Sequence, residues 1–154
     1  MPTACRIVKA KYADSAFDGE SARLLGGRWN LPGSSLVYTA ESAALAALEV
    51  LVHLGRAAML PAYVLIFCSF DHALVSRLDR SRLPANWRSY PAPPQLQLIG
   101  DGWRKSGRSA VLEVPNAIIA TESNYLLNPQ HAEFKSIRIF EPQTFDFDPR
   151  LLRE

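Results

Sequence analysis

One carboxylate stands out against its surroundings. Glu49 lies in the segment 39–54, which is otherwise mostly alanine, leucine and valine. At 100° per residue, Ser42, Ala46, Glu49 and His53 fall on one narrow stripe. Two readings of that stripe are open. It is the solvent face of an ordinary surface helix, or it faces a crevice, because a helix apolar on most sides is embedded in its fold and a glutamate there needs a partner. Glu49 is the only carboxylate of the helix after its first turn, so it is the leading candidate for a catalytic acid group. Glu49 and His53 also stand at i and i+4, a spacing that suits a metal. A metal needs three or four ligands, and His72 and His131 fall in unrelated turn-like segments, so no metal site is expected.

The run Gly26-Gly27-Arg28-Trp29-Asn30 is the second candidate. Two glycines let a backbone approach a ligand closely, and an arginine offers a planar fork that matches phosphate oxygens. No Gly-Lys-Ser/Thr follows, so it is no Walker loop, and the GxGxxG spacing is absent. The alternative is a tight turn with Trp29 in the core and Arg28 solvated. Tyr38 ends a strand just before the helix. It is either a core residue with its hydroxyl at the edge or a flat face for a heteroaromatic ring, and the pattern does not separate the two.

These residues need elements to hold them. Segment 5–9 is a short apolar strand. Segment 14–33 turns polar and glycine-rich, with Phe17, Leu24, Leu25 and Trp29 embedded in it, and reads as a long ordered loop of the kind usually functional. Segment 35–39 is a strand, Thr39 an N-cap with Glu41 in the first turn, and Gly55 the close of the helix. Segment 62–70 is a nearly continuous apolar run and so a buried central strand. Strands are also expected at 73–78, 110–114, 117–120 and 136–140, with a helix over 95–107 that Gly100 and Gly102 weaken by about 1 kcal/mol each. The sum is an α+β domain with a mostly antiparallel β core and two or three helices.

With 48% hydrophobic and 21% charged residues, the 154-residue chain reads as one packed domain, residues 1–154, rather than a disordered protein. The Pro91-Ala92-Pro93-Pro94 stretch is a stiff loop, too short to separate domains. Net charge is +2 and the basic residues are dispersed, which argues against a nucleic-acid partner. The two cysteines, Cys5 and Cys68, form no zinc or disulfide pattern. No signal-peptide core and no membrane span of about 18 apolar residues occurs, so a cytoplasmic setting is expected.

Taken together, several blocks resemble the RES domain, the toxin half of a bacterial toxin–antitoxin pair. They are Phe17-Asp18-Gly19-Glu20, Ala22-Arg23-Leu24, Gly26-Gly27-Arg28-Trp29-Asn30, Val37-Tyr38-Thr39-Ala40-Glu41-Ser42 and Leu48-Glu49-Val50-Leu51-Val52-His53-Leu54. Gly100-Asp101, Trp103, Val114-Pro115, Asn124-Tyr125-Leu126-Leu127-Asn128-Pro129 and Phe147-Asp148-Pro149-Arg150-Leu151 follow in order. The blocks span nearly the whole chain. Arg28 and Glu49 match the arginine and glutamate of the family's name, and Tyr38 matches a tyrosine of its site. The serine does not match: members usually read Val-Pro-Ser where this chain has Val114-Pro115-Asn116.

The resemblance implies an ADP-ribosyltransferase-like fold and a toxin that cleaves the nicotinamide–ribose bond of NAD⁺, by hydrolysis, phosphorolysis or ADP-ribosyl transfer to a protein, and so arrests growth. NAD⁺ is then a substrate, and no cofactor is implied. A helix-turn-helix antitoxin is the implied partner. In this reading Glu49 steadies the ribose as it becomes positive, Arg28 holds the pyrophosphate or fixes Glu49, and Tyr38 stacks on nicotinamide. Trp29 and Asn30 line the nucleotide site and Asn116 orients a polar group of the ligand. The alternative is a catalytically weakened binding module that only engages the antitoxin.

Overall fold

The computed structural model describes residues 1–54 and 61–152, and Gly55, the expected close of the second helix, lies outside them. The strands are β1 (Thr3–Lys9), β2 (Val37–Ala40), β3 (Tyr63–Ser69), β4 (Val75–Arg77), β5 (Val111–Pro115), β6 (Ser123–Leu127), β7 (Arg138–Ile139) and β8 (Gln143–Phe145). The helices are α1 (Glu20–Leu25), α2 (Ala43–His53) and α3 (Pro94–Ser106). The fold is α+β. One curled sheet runs β4-β5-β6-β2-β1-β3-β7, with β8 beside β3, and every pairing is antiparallel except β4 with β5.

The sheet is not evenly joined. β1 pairs with β3 through seven registered residues, from Thr3↔Ser69 to Lys9↔Tyr63, and β2 pairs with β6 through four. Between β1 and β2 a single registered pair survives, Cys5↔Ala40. Beyond it the two strands part, and residues of both line one large cleft. α2 packs across this seam, with Leu45 and Ala46 buried against Cys5, Ile7 and Ala40. α3 and the loop after α1 cover the neighbouring core of Trp29, Leu36, Leu96, Leu112 and Leu126. Burying such side chains contributes roughly 1.5–3 kcal/mol each, so the seam is held from behind rather than by its own ladder.

Several local expectations are corrected. The N-cap of α2 is Ser42, whose hydroxyl accepts the Leu45 N–H at 3.1 Å. Thr39 instead belongs to β2, where pairing with Tyr125 claims its backbone. Glu41 precedes the helix and accepts the Ser123 N–H. The polar segment 14–33 is not all loop: it contains α1, six residues long and too short to show a helical period. Of its apolar residues Trp29 is buried, whereas Leu24 and Leu25 are exposed. Residues 117–120 turn instead of forming a strand, because Asn116 Oδ1 captures the N–H groups of Ile118 and Ile119 at 2.8 Å each. The strand expected there is β6, a few residues later. The expected strands at 73–78 and 136–140 shrink to β4 and β7.

The two glycines of α3 differ in purpose. Gly100 faces the loop before β2, and a β-carbon there would collide with the Trp29 carbonyl. Gly102 is exposed and a β-carbon would meet nothing within 4 Å. Gly102→Ala is therefore expected to stabilise by about 0.8–1 kcal/mol through helix propensity. Gly100→Ala is expected to destabilise by about 1–3 kcal/mol, because backbone must move to admit the methyl group. Urea denaturation of the two variants checks both, and equal effects would refute the close approach.

Candidate active site

The cleft has a volume of about 1280 Å³ and is lined by β1, β2, α2, the loop after α1 and the turn after β5. Glu49 enters it from α2 and is half-buried. Its Oε1 accepts the side-chain amides of Asn116 at 3.0 Å and Asn124 at 2.7 Å. The two asparagines also join each other at 2.9 Å, and Asn124 donates to the Thr39 carbonyl. Among the described residues no hydrogen bond reaches Glu49 Oε2. Burial pushes the Glu49 carboxyl above its ordinary value, while the amides of Asn124 and Asn116 and the charge of Arg6 pull it back.

Asn116, expected to orient a polar group of the ligand, lines the cleft, and its side chain is engaged within the protein. Its residue is almost fully buried, and its amide nitrogen is spent on Glu49 and Asn124. Its oxygen is spent on two backbone N–H groups. Asn116 orients the carboxylate. The expectation that Asn30 lines the nucleotide site is corrected. This residue is fully buried and absent from the cleft wall. Its amide nitrogen lies within hydrogen-bond distance of the carbonyls of Ala22, Leu31 and Ser34, and its oxygen accepts the Tyr38 hydroxyl at 2.6 Å. It knots the loop together from inside.

Tyr38 supports that knot. Its hydroxyl accepts the Trp29 N–H at 3.0 Å while donating to Asn30, and burial raises its pKa well above the ordinary phenol value. Its ring packs against the core cluster and also lines the cleft. Trp29 reaches the cleft wall but its side chain is buried in that core. From α3, Gln97 donates to the carbonyls of Gly27 and Asn30, and Asp101 accepts the Leu31 N–H. This loop is rigidly built, and what it presents is Arg28.

Arg28 lines the cleft but makes no bond to Glu49. Its Nη1 donates to the Trp87 carbonyl at 2.8 Å and its Nη2 to the Ser89 carbonyl at 3.1 Å. Burial lowers its pKa, but a guanidinium stays charged at any ordinary pH. The cation whose field reaches Glu49 is Arg6, which the sequence reading missed. Arg6 sits on β1 one residue past the last β1–β2 pair, and its Nη1 donates to the Tyr38 carbonyl at 3.1 Å. The side chain thus replaces a ladder bond lost where the strands part. Its Nε is buried without a partner, and neither Arg6 nor Arg28 forms an ion pair among the described residues. The signal was present: an arginine among Ala4, Cys5, Ile7 and Val8 is a charge placed in a core strand.

The arrangement is a largely desolvated carboxylate, oriented by two amides, in an open cleft that is also lined by Arg6, Arg28 and Asp18. Such a site suits a ligand with phosphates and a centre that turns positive. Among the described residues no cluster of three metal-ligating side chains occurs, and no helix is long and apolar enough to cross a membrane.

Comparison with known proteins agrees in extent with this geometry. The RES domain model matches residues 3–148. The chain is 40% identical over 147 residues to a protein named Toxin Res from Yersinia enterocolitica, covering 95% of this chain and 97% of that one. It is 36% identical to the Prs ADP-ribosylating toxin of a Sphingobium strain, covering 93% and 91%. The fold matches the crystal structure of the M. tuberculosis MbcT–MbcA toxin–antitoxin complex with a TM-score of 0.74 at 20% identity, over 93% of this chain and 83% of that one. A domain match along almost the whole length, with relatives well above 30% identity, leads to one conclusion: this chain belongs to the RES domain family.

Proposed function

We propose that this chain is the toxin of a toxin–antitoxin pair and that its cleft breaks the nicotinamide–ribose bond of NAD⁺. The observation that carries the reading is Glu49, a carboxylate gripped through one oxygen by Asn116 and Asn124 and otherwise facing a cleft with Arg6 and Arg28. The names of the relatives support it: several are toxins and one is an ADP-ribosylating toxin.

In this mechanism the C1′–N bond lengthens and its electron pair goes to the pyridinium nitrogen. Nicotinamide leaves neutral, so no general acid is needed. Positive charge grows on the ribose, and an ionised Glu49 stabilises it in a site with little water. With Oε1 held, Oε2 is left to accept a ribose hydroxyl. Arg6 and the remaining N–H groups of Arg28 hold the pyrophosphate by charge-assisted bonds. Water, phosphate or a protein side chain then takes the ADP-ribosyl group. Loss of NAD⁺, or modification of a target, arrests growth, and a helix-turn-helix antitoxin relieves it. Engagement of that antitoxin without turnover is the rival reading. It drew on Asn116 standing in place of serine, and an amide bonded to Glu49 is compatible with a working carboxylate.

Glu49→Gln keeps the acceptor oxygen but removes the charge. Turnover is expected to fall about 10²–10³-fold, read as nicotinamide release by proton NMR, with and without phosphate to identify the acceptor. Near-normal release by the folded variant would remove Glu49 from the mechanism. The pH dependence has a definite sign. A raised folded-state pKa means the folded protein holds this proton more tightly than the unfolded chain. Stability from this group is therefore full below the ordinary carboxylate pKa and is lost as pH rises through the raised value. Activity runs the other way: the acid limb of kcat/KM is expected above the ordinary glutamate value, and Glu49→Gln is expected to be no less stable than the parent at neutral pH.

Arg28→Lys and Arg6→Lys each replace a planar fork by a point charge. Both are expected to weaken NAD⁺ binding about tenfold, measured by calorimetry. Unchanged affinity in both would contradict the pyrophosphate assignment.

A further inference from the structure

Residues 84–91 run along the cleft as a strap, and Arg88 and Tyr90 of this segment line it. Arg28 ties it through the carbonyls of Trp87 and Ser89. From within the strap, Arg88 donates through Nε and Nη2 to the carbonyls of Ala117 and Ile118, at 2.9 Å each. The strap is thus tied both to the loop that presents Arg28 and to the turn that follows Asn116. Trp87 anchors it, half-buried against the core.

What the strap holds out is Tyr90. Its residue is 80% exposed, it lines the cleft, and its ring centroid lies 6.0 Å from that of His53 on α2, the two rings tilted by 59° to each other. His53 is itself exposed and lines the same cleft. A large aromatic fixed in water beside a cleft of guanidinium groups leaves a flat apolar face unused. Two cations line the same cleft as this pair and Glu49. Arg6, bonded to the Tyr38 carbonyl, lies in the field of Glu49. Arg28, bonded to Ser89, lies beside Tyr90.

We propose that His53 and Tyr90 form a corner that holds the adenine ring of the dinucleotide, stacked on the face of Tyr90 with His53 against its edge. The inference rests on the NAD⁺ reading above and deepens it. The order of groups along the dinucleotide is nicotinamide, ribose, two phosphates, ribose, adenine. With the first ribose on Glu49 and the phosphates on Arg6 and Arg28, the ring that remains is adenine, and it meets an aromatic pair. His53 lies one helical turn, about 6 Å, along α2 from Glu49. The substrate therefore binds folded back, with both of its halves over the same helix. Stacking of a base on an aromatic side chain is a strong and geometry-tolerant contact.

The test is calorimetric titration of the whole protein with ADP-ribose and, separately, with nicotinamide mononucleotide, which lacks adenosine. Tyr90→Ala is expected to lose about tenfold in affinity for ADP-ribose, whereas Tyr90→Phe keeps it. Neither variant is expected to change affinity for the mononucleotide. His53→Ala, which leaves the strap untouched, is expected to lose ADP-ribose affinity while keeping that for the mononucleotide. Equal ADP-ribose affinity in Tyr90→Ala and the parent overturns the proposal. So does an equal loss for both ligands, or no binding of ADP-ribose by the parent. Tyr90-dependent binding of ADP-ribose by a protein that frees no nicotinamide keeps this inference and ends the cleavage reading. Nicotinamide release with an unchanged KM in Tyr90→Ala does the reverse.

Discussion

The parting of β1 from β2 after Cys5↔Ala40 is the constraint on which the rest of the structure depends. A continuous ladder there would fill the space where the cleft lies. Strands that separate leave backbone polar groups without partners, and an unpaired group away from water is costly. Arg6 meets that cost by bonding the Tyr38 carbonyl. α2 packs its apolar side over the same seam and holds the two strands together by burial. The same two responses bring a cation and a carboxylate to the edge of the gap. In this chain the repair of a broken sheet and the furnishing of a site are one event.

The carboxylate is also a compromise. Taking Glu49 out of water favours its neutral form, and the proposed role needs the charged one. Two amides and one guanidinium oppose that tendency. Neither amide carries charge, so the site gains orientation without neutralising the group it orients. Asn116 achieves this only because its own oxygen is occupied by Ile118 and Ile119, which leaves the nitrogen end of the amide aimed at Glu49. A turn expected to be a strand is thus what makes the residue useful.

What was legible in the sequence follows from the range of each signal. The α+β class, β3, α2 and α3 rest on periodic apolar runs, and those are local. Glu49 was found because it interrupts such a run. Arg28 and Tyr38 were found as residue types, but their bonds were not: Arg28 reaches residues 87 and 89, about sixty positions away, and nothing local records that. The same holds for Asn30, placed in the nucleotide site by the family resemblance and found locked inside the loop. α1 was missed because six residues cannot display a period, and β8 because three residues cannot alternate convincingly. Arg6 was hidden by its neighbours, since a strand with one charge still reads as a strand.

The strap is secured by guanidinium groups that grip main-chain oxygens. Every amino acid carries such an oxygen, so the arginine grip is indifferent to which side chains residues 89, 117 and 118 bear, while Trp87 also fastens the strap by its side chain. Evolution can therefore redecorate those three positions of the rim without loosening its attachment. The two arginines and Trp87 are the fixed hardware, and the surface they fasten is free to diversify toward new ligands.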